Sequence, residues 1–161
     1  MTQFLGTHTN RLDAKGRVSI PAPFRAALRD RKVGLILRPS HLLPCIEAWP
    51  SDDFEALQAP LQRLGLLSQE QADFAATLFA DAWPIEADKE GRIVLPEYLK
   101  DHAGLSDTVV FMGLGRTFNI WEPEGAAHYR VAARTRVAAL QTASPKNGLP
   151  DAPKAAETGA A

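Results

Sequence analysis

Arg11, Lys15 and Arg17 gather three cations within seven positions, on either side of Asp13 and Gly16. Such a concentration suits a polyanion. Arginine makes bidentate hydrogen bonds to phosphate oxygens or to guanine O6 and N7, and lysine supplies a point charge. Asp at the first place and Gly at the fourth of Asp13-Ala14-Lys15-Gly16 is a type I turn signature, so the cations crown a turn. Asp13 and Gly16 are expected to set its geometry rather than to touch a ligand. Arg17 has two readings: it pairs with Asp13 across the turn, or, oriented by that carboxylate, it donates to phosphate or base. Arg11 and Lys15 have no nearby acid except Asp13 and are expected to contact phosphate. Arg25, one helical turn beyond Pro21, either adds a contact or solvates its helix.

Other chemistries find little support. His8, His41, His102 and His128 are scattered without metal-ligand spacing, and no Gly-x-Ser-x-Gly or phosphate-cradling glycine loop occurs. Gly113-Leu114-Gly115 lacks the rest of a dinucleotide fingerprint and reads as a strand-end turn. Cys45 is the only cysteine, which excludes an intrachain disulfide and a zinc site built on paired cysteines. Its apolar setting reads as that of a buried, inert thiol. The expectation is a protein that is not an enzyme and has no cofactor, metal or small-molecule substrate.

The net charge of −1 conceals an uneven distribution. Residues 1–50 hold eight Lys and Arg against three acids, a balance of +5, whereas residues 51–100 hold four against ten, a balance of −6. One basic face is implied.

The turn also recurs. Leu12-Asp13-Ala14-Lys15-Gly16-Arg17-Val18-Ser19-Ile20-Pro21 is echoed 75 residues later by Ala87-Asp88-Lys89-Glu90-Gly91-Arg92-Ile93-Val94-Leu95-Pro96. Asp88 and Gly91 repeat the turn formers, and Arg92 carries the same two readings as Arg17. The second copy differs in having Lys89-Glu90 for Ala14-Lys15 and no basic counterpart of Arg11, so it is expected to contact a polyanion less, or mainly to build the scaffold.

Each turn needs flanking elements to position it. Leu12 and Val18 are expected to flank a hairpin-like turn, and Val18/Ile20 and Ile93/Leu95 alternate as half-buried strands. Pro21 and Pro96 stop those strands and open short helices, the first with Phe24, Ala27 and Leu28 on one face. Strands follow at Val33–Leu37 and Thr108–Met112, then at Ile46–Trp49 and Phe118–Trp121. Ser51 is expected to cap a closing helix in the first copy, and Pro123 and Glu124 to open one in the second. Ser68-x-x-Gln71 is a capping box for a linking helix. The resulting division is 1–65 first unit, 66–80 linking helix, 81–141 second unit and 142–161 flexible tail, the tail lacking apolar periodicity. A unit of about 60 residues buries little core alone, and the other copy would supply a partner.

The duplicated Asp-x-x-x-Arg with Gly before the Arg, together with Phe4-Leu5-Gly6, Thr77-Leu78-Phe79-Ala80-Asp81-Ala82 and the Trp49/Trp121 region, resembles the MraZ family. Its unit resembles that of SpoVT-AbrB proteins. The resemblance implies an α+β fold: two tandem SpoVT-AbrB swapped-hairpin, β-barrel-like units forming an intramolecular pseudo-dimer with flanking helices. It further implies a cytoplasmic, nucleoid-associated transcriptional regulator that binds repeated short double-stranded DNA elements ahead of its own cell-division and cell-wall gene cluster. A ring-shaped homo-oligomer is expected as well. The alternative is a ring-forming or antitoxin-like interaction protein of the same fold.

Two further features have their own readings. Trp49 and Trp121 at equivalent places favour core packing over base stacking. Arg130, Arg134 and Arg136 share an exposed helical face that suits solvation or a subunit contact. Met1 to His8 lacks a basic, apolar leader and no stretch approaches a membrane span, so a cytosolic protein is expected.

Overall fold

The computed structural model describes residues 2–142. They divide into two compact bodies, one ending at Ala126 and the other beginning at Ala127. In chain order the elements are β1 (Thr7–Arg11), β2 (Arg17–Ser19), α1 (Ala22–Arg31), β3 (Leu35–Pro39), β4 (Ile46–Pro50), α2 (Ser51–Glu55), α3 (Gln58–Gln62) and α4 (Gln69–Ala75). A π-helical turn (Ala76–Ala80) follows, then β5 (Trp83–Ile85), β6 (Arg92–Val94), α5 (Glu97–Ala103), β7 (Thr108–Gly113), β8 (Phe118–Trp121) and α6 (Pro123–Thr142).

The strands pair across the two copies of the repeat. A six-stranded antiparallel sheet runs β1-β7-β8-β4-β3-β5, and β2 pairs only with β6. Thus β1 of the first copy lies on β7 of the second, and β5 of the second lies on β3 of the first. In the β2–β6 pair Val18 faces Ile93, and these residues stand 75 apart, at the same place in the repeat. In the β4–β8 pair Glu47 faces Asn119, again matching places of the two copies. Equivalent residues facing each other in antiparallel strands is the register of a two-fold relation.

This pairing corrects the expectation of a hairpin around each turn. The two arms of the first turn are joined at its base, where Asp13 N–H donates to the Arg17 carbonyl at 3.0 Å, and by Asn10 Nδ2, which donates to the Ser19 carbonyl at 2.6 Å, but the strands they lead into belong to different sheets. The cause is burial. Val18, Ile20, Ile93 and Leu95 are each at most 2% exposed, inside a core that both copies line. A hairpin folded on its own arms would leave those aliphatic faces in water, at a cost of about 1.5–3 kcal/mol per side chain.

The first helix forms where the sequence places it. Pro21 caps α1 with its fixed φ, Phe24 and Ala27 are buried, and Lys32 ends the helix in the left-handed conformation at φ 56°. Phe24 meets Phe4 and Phe118 with ring centroids 5.3 and 4.9 Å away, so aromatic rings from both copies share one core. Trp121 is buried. Trp49 is half-buried and donates from Nε1 to Glu47 Oε1 at 3.0 Å.

The capping of the closing helices departs from expectation in the first copy. Pro50, not Ser51, is the N-cap of α2, and the Ser51 hydroxyl accepts instead from Gly34 N–H at 3.2 Å. Pro50 brings a fixed φ that suits the cap, so the helix starts one residue early and the Ser51 hydroxyl is left to hold the backbone between α1 and β3. Ser68 does cap α4, accepting from Gln71 N–H at 3.0 Å, but the Gln71 side chain returns to Leu67 N–H rather than to the cap residue's own.

In the second body, α6 runs on to Thr142, and Arg136 stacks over the Tyr129 ring at 5.6 Å. Thr142, expected to open the tail, therefore closes a helix. The remainder of that expected tail, residues 143–161, lies outside the described residues. None of the described helices is long and apolar enough to cross a membrane.

Candidate nucleic-acid interface

The first turn is built around one carboxylate. Asp13 Oδ1 accepts from the N–H groups of Lys15 and Arg17, both at 2.9 Å, and its carbonyl accepts from Gly16 N–H at 3.0 Å. Asp13 Oδ2 accepts from Arg17 Nε at 2.7 Å. These bonds, led by that from the Arg17 N–H and followed by the Arg17 side chain, hold the Asp13 carboxyl below its ordinary value. Gly16 closes the turn at φ +79°.

The pairing reading of Arg17 therefore holds, and it does not exhaust the side chain. Asp13 engages only Nε, while Nη1 and Nη2 take no hydrogen bond among the described residues. A guanidinium fixed by its inner nitrogen presents its outer pair with one orientation. Lys15 is exposed at the turn's tip, and Arg11 is exposed at the end of β1, opposite Thr108.

The second turn repeats this wiring. Asp88 Oδ1 accepts from Glu90 and Arg92 N–H at 2.9 Å, and Oδ2 accepts from Arg92 Nε at 3.0 Å. Its carboxyl is likewise lowered, first by the Arg92 N–H bond. Gly91 closes the turn at φ +80°. The difference lies in Glu90, which stands where the first copy has Lys15. Glu90 Oε2 takes Arg92 Nη2 at 2.7 Å, so part of the outer edge that Arg17 leaves open is occupied in Arg92. The Arg92 guanidinium is held further toward its charged form by Asp88, then by Glu90 and Asp13.

Arg25 is not on an open face. It is half-buried, donates from Nη1 to the Ile20 carbonyl at 3.0 Å, and lies against Gly91 of the other copy's turn. Lys100, which sequence reasoning passed over, occupies the matching place beside Gly16. The signal was available, because Lys100 stands 75 residues beyond Arg25.

The remaining candidates for chemistry are spread apart. His8 packs edge-on to Phe24, His41 lies beside Arg38, and His102 donates from Nε2 to the Leu43 carbonyl at 3.1 Å. Cys45 is fully buried, and burial pushes its thiol up to about 12, so it carries its proton at neutral pH. Among the described residues no group of His, Cys, Asp and Glu is placed to hold a metal ion.

A twice-repeated α+β unit, its two copies paired strand to strand and each bearing a carboxylate-braced arginine turn, defines a tandem-repeat protein. Residues 3–76 and 78–131 match the family described as "MraZ protein, putative antitoxin-like". The chain is 60% identical over 152 residues to the transcriptional regulator MraZ of Gluconacetobacter diazotrophicus, a match covering 92% of this chain and 95% of that protein. It is 58% identical over 146 residues to the protein of the same name from Gluconobacter oxydans, covering 88% and 89%. With that of Xanthobacter autotrophicus it shares 41% over 144 residues, covering 89% and 92%. The chain belongs to the MraZ family, whose members named above are transcriptional regulators.

Proposed function

We propose that the chain is a sequence-specific, double-stranded DNA-binding transcriptional regulator that reads repeated short elements upstream of its own cell-division and cell-wall gene cluster. The observation that carries this reading is the first turn, where Arg17 is fixed through Nε with its outer nitrogens open and Lys15 and Arg11 stand exposed nearby. Arg17 serves as the specific donor, Lys15 and Arg11 neutralise phosphate, and Asp13 and Gly16 hold the turn. Arg92 contributes less, being partly engaged by Glu90. Arg25 supports rather than contacts.

In this reading residues 1–65 and 81–141 are two SpoVT-AbrB-type units joined by 66–80, interlocked as a swapped-hairpin pseudo-dimer. The pairing of β1 with β7 and of β5 with β3 supports it. Because the two units differ, contact between unlike units of successive chains is head-to-tail, and such contacts close into rings when the rotation allows. A ring offering one basic turn per chain suits direct repeats, each weak contact reinforced by its neighbours. A cytoplasmic, nucleoid-associated protein follows from that role.

The experiment is a gel shift with the duplex upstream of the encoding gene, repeated at rising salt. Binding should fall steeply, because counterions released from each neutralised phosphate return. Inserting about 5 bp between repeats should weaken binding by turning successive sites to opposite faces of the duplex. The competing reading, an antitoxin-like interaction protein of the same fold, is favoured by the acidic stretch 51–100. It requires no retarded DNA at any salt concentration.

A further inference from the structure

Each turn is held by the copy to which it does not belong. The Gly16 carbonyl accepts from Leu95 N–H at 2.8 Å, and the Gly91 carbonyl accepts from Ile20 N–H at 2.9 Å, so both turns are tied through the same atom to the opposite copy. A side chain completes each tie. Lys100 lies over Gly16 with Nζ 3.3 Å and Cε 3.7 Å from the point where a Cβ would stand, and Arg25 fills the corresponding space over Gly91.

Both side chains are themselves anchored. Lys100 Nζ pairs with Glu97 Oε2 at 2.7 Å, and the Lys100 side chain is only 18% exposed. Arg25 is anchored on the Ile20 carbonyl. A cation that is partly buried and already paired fixes the shape of what it covers instead of reaching outward for a ligand. Each glycine has no Cβ and so leaves its Cα bare on the covered side, which is what allows the stem to lie so close.

We infer that Lys100 is a positioning residue for the first turn, supplied by the second copy, and that Arg25 is its counterpart for the second turn. The basic turn proposed to read DNA is thus completed across the repeat, and the value of Lys100 to DNA binding rests on that proposal. The brace itself does not.

The test is amide hydrogen exchange on the full chain, resolved at the two turns, with DNA affinity measured alongside. Lys100→Ala should speed exchange of the Gly16 and Arg17 amides, both bonded to Asp13, by about tenfold and leave those of Gly91 and Arg92 unchanged. Arg25→Ala should do the reverse. Affinity for a labelled duplex from upstream of the encoding gene should fall about tenfold in Lys100→Ala, as for one misplaced contact. Lys100→Met, which keeps the covering stem, should restore it to within about twofold. Acceleration at both turns alike, or at the turn of the mutated residue's own copy, overturns the crossed brace. Lys100→Met as weak as Lys100→Ala, while Glu97→Gln binds as tightly as wild type, overturns positioning, because the ammonium itself and not its anchoring pair would then be the contact. A wild-type protein that retards no duplex refutes the DNA reading alone, and the exchange pattern still decides the brace.

Discussion

Replacing Arg17 should cost DNA affinity far more than replacing Arg92, although their turns are wired almost atom for atom. In the first turn Asp13 holds Arg17 by Nε and leaves the outer edge open, so Arg17→Ala removes a preorganised bidentate donor. One such interaction is worth about 1–3 kcal/mol, or about 5- to 150-fold in Kd. In the second turn Glu90 holds Nη2 at 2.7 Å with its side chain 69% exposed, and a DNA contact must first release that pair. Exposed pairs are worth about 0–1 kcal/mol, but Glu90 also repels the phosphate that would replace it. Arg92→Ala should therefore change Kd by less than about threefold. Glu90→Lys, which places in the second turn the residue type found at Lys15, frees Arg92 and should tighten binding. The assay is a fluorescence-anisotropy titration of the upstream duplex at several salt concentrations, with melting curves to establish that each variant is folded. If Arg17 neutralises a phosphate, Arg17→Ala lowers the salt slope by about 0.9, whereas an Arg17 directed only at a base edge leaves the slope unchanged. Equal losses in the two arginine variants, or weaker binding by Glu90→Lys, would refute the argument that Glu90 silences the second turn.

Gly91→Ala should destabilise the fold by about 2–3 kcal/mol in urea titration, summing left-handed strain with loss of the Arg25 bond to Ile20. Gly16→Ala should cost less, about 1–2 kcal/mol, because its Cβ meets Lys100 Nζ and the Leu95 carbonyl at 3.3 Å, a tight contact that a small shift relieves, whereas at Gly91 the Arg25 side chain must move away. Arg38→Met should cost about 3 kcal/mol, since Arg38 is buried and bonded to Glu47 Oε1 at 2.8 Å. Pairing it with Glu47→Gln should recover part of the loss, and additive losses would show the two side chains to be uncoupled. Asp13 and Asp88 have folded values depressed below the ordinary 3.8, so their contribution is present above that value and is lost as pH falls through the lower folded value. Carboxyl-carbon NMR titration should find both still ionised at pH values where exposed aspartates elsewhere are half protonated.

The parts legible in the sequence were those fixed by local chemistry. A tight turn closed by glycine and braced by aspartate tolerates few residue types at fixed spacing, so Asp13, Gly16 and Arg17 stood out and their recurrence revealed the repeat. The helix opened at Pro21 and the strands rich in aliphatic residues were equally local. Strand partnership was not, because Val18 finds Ile93 at a distance of 75 residues along the chain and no neighbouring residue announces it. The short β5 was hidden by Pro84, which is tolerated there because β5 is an edge strand. Ser51 misled because a good cap residue stood next to a proline that fits the same place. Lys100 escaped notice because its partner, Gly16, belongs to the other copy.

The facing of Glu47 and Asn119 has a consequence for how such a chain can diverge. Two identical polypeptides meeting on that axis would set glutamate against glutamate, and every change would be imposed on both sides at once. Covalent fusion lifts that obligation. Here one side keeps the acid and its buried partner Arg38, while the other carries a neutral amide, and like-charge repulsion across the strand pair is avoided. The same freedom let Glu90 arise opposite in sign to Lys15. A substitution can thus be tried on one flank of the axis while the other retains its role, which is a latitude that an association of two separate, identical chains never has.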